Sequence, residues 1–124
     1  MDIPETGGLQ VVTTHLNADF DGLASMMAAK KLYPEALLVF PGSQEQNLRN
    51  FFLQSTVYLY NFIKLKQIPL DRVQRLILVD TRQSDRIGKF SDIVGRPDLD
   101  IHIYDHHPSA EGDLQGSLEI VRPV

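Results

Sequence analysis

Apolar residues along this chain change period every ten to twenty positions, and the changes mark out strands and helices in alternation. Leu9 to Thr14 is a Val- and Thr-rich run and Ala36 to Phe40 a short continuous apolar one. Arg75 to Val79 is a second apolar run, Asp100 to Tyr104 alternates Ile-His-Ile-Tyr, and Ser117 to Val121 offers a last strand. Between them, Gly22 to Leu32 carries Leu23, Met26, Met27 and Leu32 as one helical stripe, with Asp21 placed to cap it and Pro34 to end it. Pro41-Gly42-Ser43 is a turn leading into a helix from about Gln44 to Leu53. Residues 57 to 68 suit either a strand or a helix continuation, and Pro69 and Asp71 open a short turn or helix. Ile87 to Val94 has helical spacing, closed by Gly95-Arg96-Pro97. This alternation predicts an α/β fold: a parallel sheet with helices on both faces, in one domain over residues 1 to 124.

Three polar clusters follow three of the predicted strands: His15-Leu16-Asn17-Ala18-Asp19-Phe20-Asp21, Asp80-Thr81-Arg82 and Asp105-His106-His107. Ligands of open parallel sheets bind beyond the carboxyl ends of the strands, so the fold brings these segments to one edge. Imidazole mixed with carboxylate suits Mn, Mg, Co or Zn, and the chain has no cysteine to offer a thiolate. Three carboxylates, Asp19, Asp21 and Asp80, facing two divalent ions leave such a site positive and able to hold phosphate. Asp80, on the strand between the other clusters, is placed to bridge two ions. Paired ions serve in-line displacement at phosphorus by activating a shared water and clamping phosphoryl oxygens.

Composition removes some classes. There is no cysteine framework, no apolar stretch of roughly 18 residues, and no basic-then-apolar leader at Met1-Asp2-Ile3-Pro4-Glu5, so a cytoplasmic protein without membrane contact is expected. Net charge is −4, but residues 49 to 96 hold nine bases against four acids, including Arg82 and Arg86 beside Asp80. An anionic substrate could draw on these, although Lys64, Lys66, Arg72 and Arg75 also fit a solvated basic helix face. Simpler readings exist for single residues: a helix cap for Asp21, a local turn for Asp80, a pairing with Asp85 for Arg82, an ordinary strand histidine for His102.

The joint pattern His15-x-Asn17-x-Asp19-x-Asp21, strand-terminal Asp80 and the triplet Asp105-His106-His107 resembles the DHH phosphoesterases, from about Val11 to the C-terminus. The resemblance implies two divalent ions, often Mn²⁺, with Mg²⁺ or Co²⁺ possible. It also implies hydrolysis of a phosphoester or phosphoanhydride of a nucleotide or short oligonucleotide. By motif, His15 and Asp19 would bind one ion and Asp21 and His106 the other, with Asp80 bridging. His107 would face the substrate phosphate beside Asn17 and Arg82, and Asp105 would orient the imidazoles. Asp80, His106 and His107 are the expected catalytic residues. Ala18 replaces a proline common in the family. A further ligand Asp and a second domain with a glycine-rich substrate motif are expected beyond the triplet. Asp113 lies too near to be that ligand, so the chain is expected to be a C-terminally truncated piece. The wording of the first motif and of Pro41-Gly42-Ser43 is similar to N-terminal DHH regions that precede CBS domains and a tRNA nucleotidyltransferase or poly(A) polymerase module. Downstream domains of the same polypeptide are therefore expected partners. A metal- or nucleotide-binding regulatory module without efficient turnover is the alternative function.

Overall fold

The computed structural model describes residues 3–53, 62–108 and 110–121. Five parallel strands form one sheet: β1 (Leu9–Thr13), β2 (Leu37–Leu38), β3 (Val73–Val79), β4 (Asp100–Asp105) and β5 (Leu118–Val121), in the order β2-β1-β3-β4-β5. The register sets Val12 beside Ile77 and Ile77 beside His102. Chain order reverses between β1 and β3, so connections leaving these strands diverge and open a crevice at their carboxyl ends.

Both faces of the sheet are packed, which explains why β1 and β3 carry nearly continuous apolar runs. One face sets Val12, Leu38, Ile77 and Val79 against Met26 and Ala29 of helix α1 (Phe20–Leu32). The other sets Val11, Leu76, Leu78 and Ile103 against Ile87, Phe90 and Ile93. Ile87 sits at the bend between two 3₁₀ segments, Ser84–Arg86 and Gly88–Asp92, Phe90 in the second of them and Ile93 in the turn after it, where the spacing predicts one α-helix. Gly88 accounts for part of this difference. Its φ is +58°, which an α-helix does not accommodate, and a Cβ there would lie 2.6 Å from the Pro41 carbonyl oxygen.

Helix α1 begins earlier than expected and is capped by Asp19, not Asp21. The Asp19 Oδ1 accepts the Gly22 N–H at 3.0 Å, and Asp21 falls in the first turn. The stripe also rotates. Leu23, Met26 and Ala29 are buried, whereas Met27 and Leu32 are 43% and 64% exposed. Successive residues point about 100° apart, so Met26 and Met27 cannot both face the sheet. Small Ala29 takes the third contact and lets the helix approach closely.

Helix α2 (Gln46–Leu53) follows the Pro41-Gly42 turn. The ambiguous span from 57 to 68 falls partly outside the described residues. Its described part gives a single bridge of Phe62 to Leu38 and a 3₁₀ turn, Leu65–Gln67, with another at Leu70–Arg72. No described helix is long and apolar enough to cross a membrane.

Candidate metal centre

Each of the three clusters leaves the carboxyl end of its strand, β1, β3 and β4, at the reversal point. The chain bends sharply there. Asp80 has φ +61° and Asn17 +55°, a left-handed conformation that Asp and Asn tolerate best among residues with a Cβ. The loop after β1 is tied down by backbone bonds from Leu16 N–H to Arg86 O (2.6 Å) and from Asn17 N–H to Ser43 O (3.1 Å). Thr14 Oγ1 adds a bond to Val79 O at 2.8 Å, joining the end of β1 to the end of β3.

Asp80 stands at the centre of the resulting cluster with its side chain 5% exposed. Its Oδ2 lies 3.2 Å from His15 Nε2, and its Oδ1 lies 2.6 Å from His106 Nε2. The two oxygens of one carboxylate are thus aimed at different histidines from different strands. His15 Nε2 is also 3.8 Å from Asp19 Oδ1. Two ligand groups arise: His15, Asp19 and Asp80, then Asp80, Asp105, His106 and His107. They share Asp80.

The tautomer of His15 sharpens the electrostatics. Its Nδ1–H donates to Leu16 O at 2.9 Å, because a carbonyl can only accept. In a neutral ring the Nε2 lone pair therefore faces two carboxylates, an arrangement that calls for a cation or a proton. Accordingly, the hydrogen bond to Asp80 raises the His15 pKa above its ordinary 6.5, outweighing burial, which lowers it. Burial would raise the Asp80 carboxyl, yet hydrogen bonds from His15 and His106 prevail and hold it below its ordinary value.

Asp105, also nearly fully buried, acts as a scaffold. Its Oδ1 accepts from the backbone N–H groups of His106 (2.9 Å) and His107 (3.3 Å) and lies 2.6 Å from His107 Nδ1. Its Oδ2 faces Arg82 Nε at 3.4 Å, and Arg82 also pairs with Asp113 Oδ2 at 3.1 Å and donates to His107 O at 3.2 Å. The Arg82 side chain is 7% exposed and ties the loop after β3 to the segment after β4.

A cavity of about 310 Å³ opens over this cluster, lined among others by His15, Asp21, Asp80, Arg82, Arg86 and His107. Asp19, Asp105 and Asp113 complete its acidic wall. Asp21 reaches the cavity but belongs to neither ligand group, and Asn17 lies outside the lining. Arg86, exposed and with Nη2 3.5 Å from His15 Nδ1, is the cation that motif spacing did not single out, although its place in the basic middle segment signalled it. The role of Asp113 had no sequence signal, because its partnership with Arg82 spans 31 positions and depends on the turn after His107.

The model of the N-terminal domain of the DHH family matches residues 10–124. The chain belongs to the DHH family. It is 49% identical over 109 residues to an A-adding tRNA nucleotidyltransferase of Geobacter sulfurreducens, a match covering 88% of this chain and 12% of that relative. The chain thus spans about an eighth of the length of the relative it matches. Among solved structures, an exopolyphosphatase-related protein from Bacteroides fragilis shares the fold with a TM-score of 0.67 and 17% identity, covering 95% of this chain and 36% of that one. The DHH domain is of the phosphoesterase type, and its acidic and histidine groups are of the kind that hold divalent metals.

Proposed function

We propose that this DHH domain supplies the metal-holding part of a phosphoesterase site that cleaves a phosphoester or phosphoanhydride of a nucleotide or short oligonucleotide. The observation that carries the reading is the Asp80 carboxylate, with one oxygen toward His15 and the other toward His106. A carboxylate with one oxygen on each side is what ligation shared between two ions would require.

The donor set fits Mn²⁺, with Mg²⁺ or Co²⁺ as substitutes: hard carboxylate oxygens, two imidazole nitrogens and no thiolate. His15 and Asp19 would hold one ion, His106 and Asp21 the other, and Asp80 both. When bound, two such ions supply Lewis-acid stabilisation of the phosphoryl oxygens and a nucleophilic water at neutral pH. The remaining chemistry belongs to side chains. His107, its Nδ1 held by Asp105, presents Nε2 to a phosphate in the cavity. Arg86 offers a guanidinium to the same anion. Arg82, neutralised by Asp105 and Asp113, positions His107 from behind.

A second reading draws support from the nucleotidyltransferase relative: a metal- or nucleotide-binding module that serves an RNA-modifying region of a longer polypeptide. Both readings require the metal centre. Isothermal titration with Mn²⁺ tests it: Asp80→Asn should weaken binding by about 100-fold or more, the upper end for loss of a group that orients or forms a metal site. Equal binding by Asp80→Asn and wild type would overturn the bridging assignment.

A further inference from the structure

A second and larger cavity, about 760 Å³, lies beside β2 and shares no lining residue with the acidic cavity. Its floor is apolar, built on the stacked pair Phe40 and Phe62 (centroids 5.0 Å apart, planes 6° apart) and on Leu65. Among the described residues its lining contains Lys64, Lys66 and Lys89 and no acidic residue. All three lysines are exposed, and none forms an ion pair with a described residue. Three cations gathered around an apolar floor, in a chain of net charge −4, mark this mouth as a local reversal of the surface field. They do not lie along a solvated α-helix. Lys64 and Lys66 flank and occupy the 3₁₀ turn Leu65–Gln67, and Lys89 comes from Gly88–Asp92 on a different segment.

The cleft is linked to the metal centre. Its wall includes Gly42 and Gln44, and Gln44 bridges Ala18 within the first motif. Lys89 follows Arg86 by three residues, and Arg86 lines the acidic cavity. A ligand that is anionic at regular intervals and apolar between them matches a basic mouth over an apolar floor. A single strand of nucleic acid has that chemistry, with phosphates for the lysines and base faces for the floor. The volume falls within the roughly 300–1,000 Å³ of small-ligand pockets.

We infer that the cleft bounded by Lys64, Lys66 and Lys89 binds single-stranded oligonucleotide, holding nucleotides that flank the phosphate presented to the metal centre. The choice of a nucleic acid rests on the phosphoester reading. The charge and shape of the cleft do not.

The test is fluorescence anisotropy of an end-labelled pentaadenylate titrated with the 124-residue chain in EDTA over a series of salt concentrations. Single-strand binding through three lysine contacts gives a slope of log K against log salt of about −2, at roughly −0.7 per contact. The triple variant Lys64→Gln/Lys66→Gln/Lys89→Gln should bind at least about tenfold more weakly with a slope near zero, while Lys31→Gln, an exposed lysine on α1, binds as wild type. Circular dichroism of the triple variant should be unchanged, since exposed substitutions of this kind rarely disturb a fold. Equal affinity and slope for wild type and triple variant would overturn the inference. So would failure of wild type to bind pentaadenylate, whether or not palmitate, the alternative apolar anion, binds in its place. EDTA and the separate Mn²⁺ titration keep the two sites distinct: a failed metal reading leaves anisotropy intact, and a failed cleft leaves Mn²⁺ binding intact.

Discussion

At the scale of single residues, the centre is governed by protons competing with cations for the same lone pairs. His15 is raised above 6.5 in the metal-free fold, chiefly by its bond to Asp80. That stabilisation is complete below the unfolded value and fades as pH climbs through the raised folded value. Asp80 is lowered below 3.8, so its contribution is present above that value and disappears on acidification. Metal-free protein should therefore be most stable in the interval between these limits and lose stability as pH rises through the raised His15 value. Thermal melts in EDTA across pH 4 to 9 check this, with His15→Gln expected to flatten the alkaline fall. Mn²⁺ affinity should run the other way, rising with pH as His15 Nε2 sheds its proton. The residue pattern made much of this legible: His15, Asp19, Asp80, Asp105, His106 and His107 meet in space as their spacing at strand ends implied. Asn17 and Asp113 were not legible. Asn17 is directed by its left-handed backbone and its bond to Ser43, and Asp113 by a turn whose path no local signal specifies.

At the scale of elements, the loops are held by segments far away in sequence. The 3₁₀ segment Gly88–Asp92 presses Gly88 against Pro41 O, while Arg86 O holds Leu16 N. Gly88→Ala must both abandon a φ of +58° and push aside a backbone carbonyl, so a loss of more than about 1 kcal/mol is expected in urea titration. Gly112→Ala, also at positive φ but with nothing near its Cβ, should cost less. β1 and β3 were readable because burial on both faces demands continuous apolar runs, and β4 by its alternation; all three lie within two residues of their expected limits. Helical spacing at Ile87, Phe90 and Ile93 was equally real, yet it fits three residues per turn as well as 3.6. The period therefore leaves α and 3₁₀ open, and the positive φ of Gly88 weighs against a continuous α-helix.

At the scale of the whole molecule, the crevice at the β1–β3 reversal gathers Asp19, Asp21, Asp80, Asp105 and Asp113 within one cavity lining. A cation held by this lining in the folded chain and not in the unfolded one favours folding. Mn²⁺ should therefore raise the melting temperature, by about 2.7 kcal/mol of stability at a hundredfold excess over its dissociation constant. A thermal scan indifferent to millimolar Mn²⁺ and Mg²⁺ would favour a purely structural role for the cluster.

The same charge balance limits turnover. In-line attack needs the substrate clamped, and positioning accounts for roughly 7 to 11 kcal/mol of barrier reduction. Two arginines line the acidic cavity, and one of them, Arg82, is committed to Asp105 and Asp113. Within the acidic cavity Arg86 is left as the principal side-chain cation for the reacting phosphate, and one exposed guanidinium fixes that group poorly even where the lysine cleft holds the flanking nucleotides. Residues 1–124 should thus bind Mn²⁺ but hydrolyse short oligonucleotides, cyclic dinucleotides and pyrophosphate slowly, while a longer polypeptide containing the domain turns them over faster at equal Mn²⁺. Arg86→Ala should raise KM more than it lowers kcat, as loss of a contact made equally in ground and transition states does. Fast, Mn²⁺-dependent release by the 124-residue chain, abolished by Asp80→Asn, would show that His107 and Arg86 clamp the phosphate sufficiently by themselves.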